Sequence, residues 1–244
     1  MMVENDSMKG VLFALGVVLI WSGSFVLARG LSTSIPQMTL SFWRWTIAVI
    51  AIAPFATKGA WVSRMMIKQN IRYLLLASFL GIADFNMLIY IAGQTTTSFN
   101  LSLISLTSPI FTLLISILYF KEKLKSLNLI GISIVILGVL TLVSKGNLQS
   151  LSKLIFSKGD LYMLMAALIF AVYAILIRMK PSSIDTKTFL FTTFIFGELM
   201  LLPAYIWEHK TLHFNIHFDR DIGLALIYLS VFASVVAYFY GMKP

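Results

Sequence analysis

Long apolar runs separated by short polar stretches dominate the pattern of this chain. A helix needs about 20 predominantly apolar residues to cross the ~30 Å hydrocarbon core of a bilayer. The runs lack the polar/apolar alternation of membrane-spanning β-strands, so they favour helices over a barrel. We therefore predict an all-α polytopic membrane protein with about eight transmembrane helices. The predicted spans are 10–29, 38–57, 72–93, 98–120, 126–143, 160–179, 188–207 and 222–242.

The composition of the 244 residues supports lipid as the solvent. Hydrophobic residues make up 59% of the chain and charged residues 12%, whereas a soluble domain has about 45–50% and about 25%. A net charge of +9 in a soluble protein would suggest nucleic acid, but here the basic residues lie mostly between apolar runs. We expect a bilayer and no nucleic acid as partner. Cysteine is absent, which excludes disulfides and cysteine-based metal or nucleophile sites.

The basic residues also indicate an orientation. If the N-terminus is cytoplasmic, the inner segments carry 12 Lys and Arg residues and the outer segments carry 6, while Arg44 lies within a span. Cytoplasmic loops carry an excess of Lys and Arg, so we predict cytoplasmic N- and C-termini. The expected location is the plasma membrane, with a bacterial inner membrane as the favoured case.

A constant offset between the two parts of the chain indicates an internal repeat. The offset that maps Lys9 onto Lys158, called the repeat offset below, also maps several other landmarks onto identical residues. One unit holds five spans, an odd number, so the second copy enters the membrane in the opposite orientation. Inverted repeats of this kind are typical of secondary transporters, whose substrate sites lie near the midplane between the halves. We predict a first unit at 1–148 with five helices and an incomplete second unit at 149–244 with three. The further pairs at the repeat offset are Gly10 and Gly159, Arg29 and Arg178, and Pro54 and Pro203.

Several short motifs occur one after another along the predicted spans and at their ends. They are Trp21-Ser22-Gly23-Ser24-Phe25, Arg44, Pro109, Glu122, Gly131, Gly138, Gly159-Asp160 and residues 232–238. Together they resemble the drug/metabolite transporter superfamily, specifically its EamA-type ten-helix members. The resemblance implies a transporter that moves a small metabolite by alternating access, more often outward than inward, without a cofactor. It also implies two further helices, so a truncated transporter is an expectation here.

Two other classes of function remain open beside this resemblance. A non-transporting membrane fragment or scaffold fits a chain that lacks two helices. An intramembrane enzyme would need an acid/base pair or metal ligands at one depth, and only Arg44 and Asp84 approach that. Because arginine is a poor acid/base group, we do not predict an enzyme. A homodimer is left open.

Three ionisable residues lie in the interior of the spans, away from their ends, where such groups are costly and functional by default. Arg44 and Asp84 lie ~10 Å and ~13 Å from the outer ends of their spans. A pair between them is feasible, either as a structural ion pair or as a substrate or coupling-ion site. Glu198, near the middle of span seven, has no obvious partner at its depth. It is predicted to be neutral or to face a cavity, and it is a candidate for proton coupling.

Polar and aromatic residues in other spans are candidates for lining a polar cavity, although a role in packing or in an interhelical hydrogen bond is favoured for each of them. They are Trp21, Ser24, Asn86, Tyr90, Tyr173 and Tyr238. Span four carries one face of small and hydroxylated residues, for which close helix packing is favoured over cavity lining. That face comprises Ser98, Ser102, Ser105, Pro109, Thr112 and Ser116.

Span four also carries two candidate moving parts. Pro109 removes a backbone hydrogen bond and frees the Ser105 carbonyl, which predicts a kink that is either static or a hinge. Glu122, at the cytoplasmic end between two lysines, is predicted to be an interfacial anchor or gate contact. Elsewhere, three histidines spaced four apart lie in a segment that alternates like a strand, so no metal site is predicted. They are His209, His213 and His217.

Overall fold

The computed structural model describes residues 2–121, 126–144, 157–212 and 219–241, which are almost entirely helical. In these ranges a helix occupies the position of each of the eight predicted spans. The helices are α1 (Met2–Gly30), α2 (Gln37–Val62), α3 (Ile71–Thr95), α4 (Ser98–Phe120), α5 (Ser126–Ser144), α6 (Lys158–Arg178), α7 (Thr186–Leu212) and α8 (Arg220–Gly241). A short helix, Arg64–Gln69, lies between α2 and α3. The all-α polytopic membrane class is confirmed.

Six of these helices are long and apolar enough to cross a bilayer, namely α2, α3, α4, α6, α7 and α8. The described residues of α1 and α5 contribute shorter apolar stretches, Leu15–Gly30 and Ser126–Gly138. Several helices extend beyond the predicted apolar run, because backbone hydrogen bonding continues into the polar flanks after the hydrophobic residues end.

Antiparallel packing of α2 against α7 forms the centre of the bundle. Around it, α3 packs against α6 and α7, while α8 packs against α1 and α2. One buried cluster, which includes Trp45 and Phe194, joins α2 to α7. A second cluster, which includes Leu101 and Met163, joins α4 to α6. Helix α5 lies at the periphery, and Leu127 on it is 80% exposed, as expected for a lipid-facing helix.

In the part of the chain that the structure describes, three helices, α3, α4 and α8, depart from regular α geometry within the membrane region. A π-helical segment interrupts α3 at Phe79–Asp84, between Ile71–Ser78 and Phe85–Thr95. A second interrupts α8 at Tyr228–Val236, between Arg220–Ile227 and Ala237–Gly241. The repeat offset maps the first residue of one segment, Phe79, onto the first residue of the other, Tyr228. Such segments occur often at functional sites.

Helix α4 is interrupted at Leu106, which separates Ser98–Ser105 from Thr107–Phe120. The proline ring clashes with the carbonyl four residues earlier and cannot donate to it. Pro109 therefore accounts for a break that begins beside Ser105, and the backbone irregularity predicted there is present.

Candidate functional site

A cavity of about 400 Å³ lies at the junction of α1, α2, α3, α4, α6 and α8. Most of its wall is apolar and aromatic, and Phe25, Phe85 and Phe170 contribute rings to it. Arg44 is the only charged side chain among the described residues that line the cavity. Small-molecule sites commonly take this form, an apolar pocket with a few convergent polar groups.

Arg44 reaches the cavity from α2 and is held by neutral partners. Its side chain is 3% exposed. Nε donates to Ser234 Oγ at 2.9 Å, and Nη1 donates to Asn86 Oδ1 at 2.7 Å and to Tyr90 OH at 2.8 Å. The guanidinium also lies 5.1 Å from the centre of the Trp45 ring. These contacts fix the guanidinium in one orientation while leaving its charge uncompensated.

The two π-helical segments position the partners of Arg44. Asn86 follows the segment in α3, and its amide donates back to the Gly81 and Ile82 carbonyls at 3.2 and 3.4 Å. Ser234 lies within the segment in α8, and its hydroxyl donates to the Leu229 carbonyl five residues earlier at 2.8 Å. A π turn leaves carbonyl groups without their usual α-helical partner, and these side chains satisfy them.

Asp84 does not form the ion pair with Arg44 that its depth made feasible. Within the described part of the chain Arg44 donates to Asn86, Tyr90 and Ser234, and Asp84 is absent from the cavity wall. Residues two apart on a helix project about 200° apart around its axis. Since Asn86 faces Arg44, Asp84 projects away from it, and a role for Asp84 in transport stays a prediction.

Aromatic candidates from α1 and α8 meet beside the cavity. Trp21 and Tyr238 line it and pack edge to face at 6.0 Å between ring centroids. Trp21 Nε1 donates to the Ala233 carbonyl at 3.1 Å, and Tyr238 OH donates to the Gly81 carbonyl at 3.0 Å. Both rings are therefore anchored through their polar ends, which fixes their orientation in the wall.

Ser24 and Tyr173 are two further candidates, and both carry buried hydroxyl groups without a partner in the described residues. Ser24 lines the cavity. Tyr173 lies behind the wall, where its ring packs 6.2 Å from that of Tyr238. The ring also covers Gly81, where a Cβ atom would collide with it. The structure thus brings Ser24 to the cavity surface and Tyr173 to its supporting core.

Glu198 lies outside the cavity wall, at the contact between α7 and α2. Thr46 Oγ1 lies 2.6 Å from Glu198 Oε1 and 3.0 Å from the Phe42 carbonyl. The carboxyl group is partly buried. Thr46 gives it a polar partner inside the bundle, whereas the sequence suggested no partner.

Helix α4 both lines the cavity and packs against α6. Ser102, Ser105 and Pro109 line the cavity. Ser108 also lines it, and its hydroxyl donates to the Ala167 carbonyl of α6 at 2.9 Å, which joins the two helices. Packing and cavity lining therefore occur together on α4.

Two sets of candidates lie wholly or partly outside the described residues. Glu122 is one of them, and its role as an anchor or gate stays a prediction. His213 and His217 also fall outside, while His209 stacks on Tyr205 with ring centroids 6.1 Å apart. In the described part of the chain no group of His, Asp and Glu side chains is arranged to hold a metal ion.

Glu208 joins the end of α7 to the start of α2, a role that the sequence did not suggest. Its carboxylate accepts hydrogen bonds from the backbone N–H of Met38 at 3.1 Å, the backbone N–H of Thr39 at 2.7 Å and the Thr39 hydroxyl at 2.9 Å. Free N–H groups at a helix start attract anions. Glu208 therefore acts as a cap in trans for α2.

Asp160 has a similar role at the start of α6. It forms a capping box with Ser157, accepts from the Thr96 hydroxyl and accepts from the Asn100 side-chain amide at 3.2 Å. The α3–α4 connection is thereby fixed to α6. Capping signals of the form Ser-x-x-Asp are visible in sequence, but the contacts across the bundle are not.

Asp185, in the connection before α7, is the carboxyl cap of that helix. Its Oδ1 accepts from the backbone N–H of Lys187 at 3.0 Å and of Thr188 at 3.1 Å. Partial burial alone would raise the pKa of Asp185, but these hydrogen bonds and the nearby Lys180 charge hold it below its ordinary value. The ionised form is thus the one that stabilises the start of α7.

Comparison with known proteins points to one family. Residues 8–144 and 157–243 match the EamA-like transporter family. A protein named uncharacterized transporter from Archaeoglobus fulgidus is 28% identical over 237 residues, covering 96% of this chain and 78% of that protein. Uncharacterized transporter YyaM from Bacillus subtilis is 23% identical over 231 residues, covering 92% and 73% respectively. A further uncharacterized transporter, from Clostridium kluyveri, is 21% identical over 237 residues, covering 94% of this chain and 75% of that protein.

Proposed function

The chain belongs to the EamA-like transporter family and is a multi-pass membrane transporter, and from this premise we propose that it exports a small metabolite by alternating access. The observation that carries the proposal is the cavity around Arg44, because its wall is built from both predicted repeat units. Helices α1 to α4 contribute one side, and Met163, Phe170 and Tyr238 contribute the other. A site between two such units is suited to opening on either side of the membrane in turn.

An inverted repeat with units at 1–148 and 149–244 is the second element of the proposal. The start points of the π-helical segments are related by the same repeat offset as the sequence landmarks. Trp45 packs on Phe194 with centroids 4.7 Å apart, and Trp21 packs on Phe170 at 5.4 Å. The two members of each pair are also equivalent under the repeat offset. Contacts between equivalent positions are expected on a pseudo-two-fold axis, and they support the repeat.

The third element is a hinge in α4. The break at Leu106 and Pro109 lies in the cavity wall, so a change in bend there would move Ser102 relative to the rest of the site. Export is the direction implied by the family resemblance, and the proposed location is the plasma membrane. The Lys and Arg bias supports a cytoplasmic N-terminus.

Glu198 remains our candidate for the residue that binds the coupling ion. A carboxyl group at the central α2–α7 contact, with Thr46 at 2.6 Å, would sense rearrangement of the two predicted units against each other. In reconstituted vesicles, E198Q would abolish the pH dependence of transport if protons are coupled there. Unchanged pH dependence in E198Q would remove Glu198 from the mechanism.

The natural absence of cysteine allows a direct test of alternating access. Ser105→Cys places one thiol in the cavity wall, and sealed vesicles can be treated with a membrane-impermeant thiol reagent from either side. Alternating access predicts labelling of this variant from both sides. Matched controls are Ser34→Cys and Ser182→Cys, in exposed connections predicted to be outside and inside. Each control should react from one side only.

Labelling of Ser105→Cys from one side under all conditions would contradict alternating access. A flux assay then separates a transporter from a membrane scaffold. Vesicles with the purified protein are loaded with a pool of metabolites, and the compounds lost over time are identified by mass spectrometry. Loss of the same compounds from protein-free vesicles at the same rates would contradict transport.

A further inference from the structure

The cavity around Arg44 has a chemistry that selects among small metabolites. We propose that it binds a singly charged organic anion, a carboxylate with an apolar, ring-bearing body, through Arg44 and Tyr90. This inference rests on the proposed transport function and adds the class of substrate to it.

The charge of Arg44 is the first reason. A buried ion without a counter-ion is costly, and the partners of Arg44 are a serine hydroxyl, an amide oxygen and a phenol oxygen. No Asp or Glu from the described ranges lines the cavity. The guanidinium therefore adds one positive charge to an apolar pocket, and a ligand with one negative charge would offset it.

The second reason is the set of donors that remain free. Nε and Nη1 of Arg44 are engaged, and Nη2 donates to no acceptor in the described part of the chain. Tyr90 accepts from Arg44 through its oxygen, so its own O–H is left to donate. Both residues line the cavity. A carboxylate can accept from Nη2 and from the Tyr90 hydroxyl, and such charge-assisted bonds are the strong ones.

The third reason is the remaining wall. Rings of Trp21, Phe25, Phe85 and Phe170 face the same space, and flat aromatic surfaces favour stacked or edge-to-face contact with another ring. A dianion such as a phosphate ester would bring two charges to one cation. A zwitterionic amino acid would bring an ammonium group that no carboxylate in the described wall could pair with. The singly charged aromatic acid fits best.

Binding to the purified full chain in detergent tests this selection. The probes are 3-phenylpropionate, its neutral amide 3-phenylpropanamide, and the zwitterion phenylalanine, titrated by calorimetry. We expect the carboxylate to bind about tenfold or more tightly than the amide, with phenylalanine weaker than the carboxylate. Equal or tighter binding of the amide or of phenylalanine, or no binding of the carboxylate, would overturn the inference.

Two substitutions locate the site. Y90F keeps the ring but removes the free hydroxyl, and should weaken binding of 3-phenylpropionate about three- to tenfold while leaving the amide almost unaffected. R44Q should remove the preference for the carboxylate. The matched control is Y119F, since Tyr119 is 61% exposed and outside the cavity wall. If R44Q does not fold, Y90F still decides the case, and an equal effect of Y90F and Y119F would contradict the site.

Flux measurements distinguish a failure of this inference from a failure of the proposed function. If phenylalanine or the amide crosses vesicles that contain the protein faster than protein-free vesicles, while the carboxylate neither binds nor crosses above that background, the anion site is wrong and transport stands. If the carboxylate binds with the expected selectivity but no probe crosses and Ser105→Cys is labelled from one side only, the site stands and alternating access is wrong.

Discussion

Removal of the Glu208 carboxylate should loosen the α2–α7 pair at one end of the bundle. Glu208 is 5% exposed and accepts three hydrogen bonds from the first turn of α2. In E208A the backbone N–H of Met38 and of Thr39 would lose their acceptor. Both groups lie at a helix start, where no backbone carbonyl of the same helix can replace it.

The magnitude follows from these contacts. Hydrogen bonds to a charged group contribute about 1.5–3 kcal/mol, and an unpaired buried donor costs about 1–3 kcal/mol. Loss of an ordinary helix cap costs about 0.5–2 kcal/mol. We expect E208A to lower the free energy of unfolding by about 2–4 kcal/mol. E208Q keeps an oxygen acceptor without the charge, so its effect should be about half as large.

Thermal unfolding of the purified protein in detergent measures the effect. A loss of about 2–4 kcal/mol corresponds to a fall in Tm of about 4–16 °C for a chain of this size. The matched control is D221A, which removes an exposed carboxylate from the first turn of α8 and should cost less than about 1 kcal/mol. Hydrogen exchange at Met38 and Thr39 should accelerate in E208A alone. Equal Tm values for E208A and D221A would refute the trans cap.

Three further predictions concern packing, pH and the cavity. Gly159→Ala should lower Tm by several degrees, because its Cβ would collide with the Ala92 carbonyl oxygen, whereas Gly223→Ala, with open space around it, should leave Tm unchanged within error. The pKa of Asp185 is lowered in the folded state, so its stabilising effect is present above its unfolded pKa and is lost as the pH falls through the folded pKa; D185N should melt with less dependence on acid pH than the wild type. Asp84→Asn should leave the affinity for 3-phenylpropionate within about twofold, because Asp84 does not line the cavity, and a tenfold loss in a calorimetric titration would contradict that geometry.

The spans could be predicted from sequence because the bilayer sets their length. The hydrocarbon thickness demands about 20 apolar residues, and this requirement holds whatever the helices pack against. Helix ends were predicted less well. Helix α7 continues to Leu212 instead of ending near residue 207, where the apolar run stops, so the hydropathy pattern places Glu208 in a connection. Its capping role was missed because it depends on the start of a distant helix.

The candidate site was predictable only in part. Arg44 stands out because a charge in a span is costly, and Asn86 and Tyr90 were among the residues predicted as candidates for lining a cavity. Their contacts depend on how each helix is rotated about its axis. The position of a residue along its span does not specify that rotation. The π-helical segment at Phe79–Asp84 changes that rotation further. Ser234 could not be singled out for this reason, since a serine in a span carries no signal of its partner.

Under the proposed repeat, some features of the bundle occur at equivalent positions in both units and others occur in one unit only. The two kinds of feature differ in function. The backbone irregularities and the aromatic pairs across the axis recur at the repeat offset, which is what a scaffold needs if its two halves exchange conformations. The charged, amide and phenol groups of the Arg44 cluster do not recur. The counterparts of Arg44, Asn86 and Tyr90 are Thr193, Val235 and Phe239.

The two ends of the α2–α7 pair also differ, although they are equivalent under the repeat offset. Glu208 at one end has Gly59 as its counterpart at the other, where Thr188 approaches so closely that a Cβ on Gly59 would meet its hydroxyl at 2.5 Å. Among the described residues, one end is therefore held by charged hydrogen bonds and the other by close packing. Hydrogen bonds to a charged group contribute about 1.5–3 kcal/mol each, and none of them joins α2 to α7 at the Gly59 end in the described part of the chain, so we expect the halves to separate first at the Gly59 end. In the proposed orientation that end is cytoplasmic, the side from which an exporter must load its substrate.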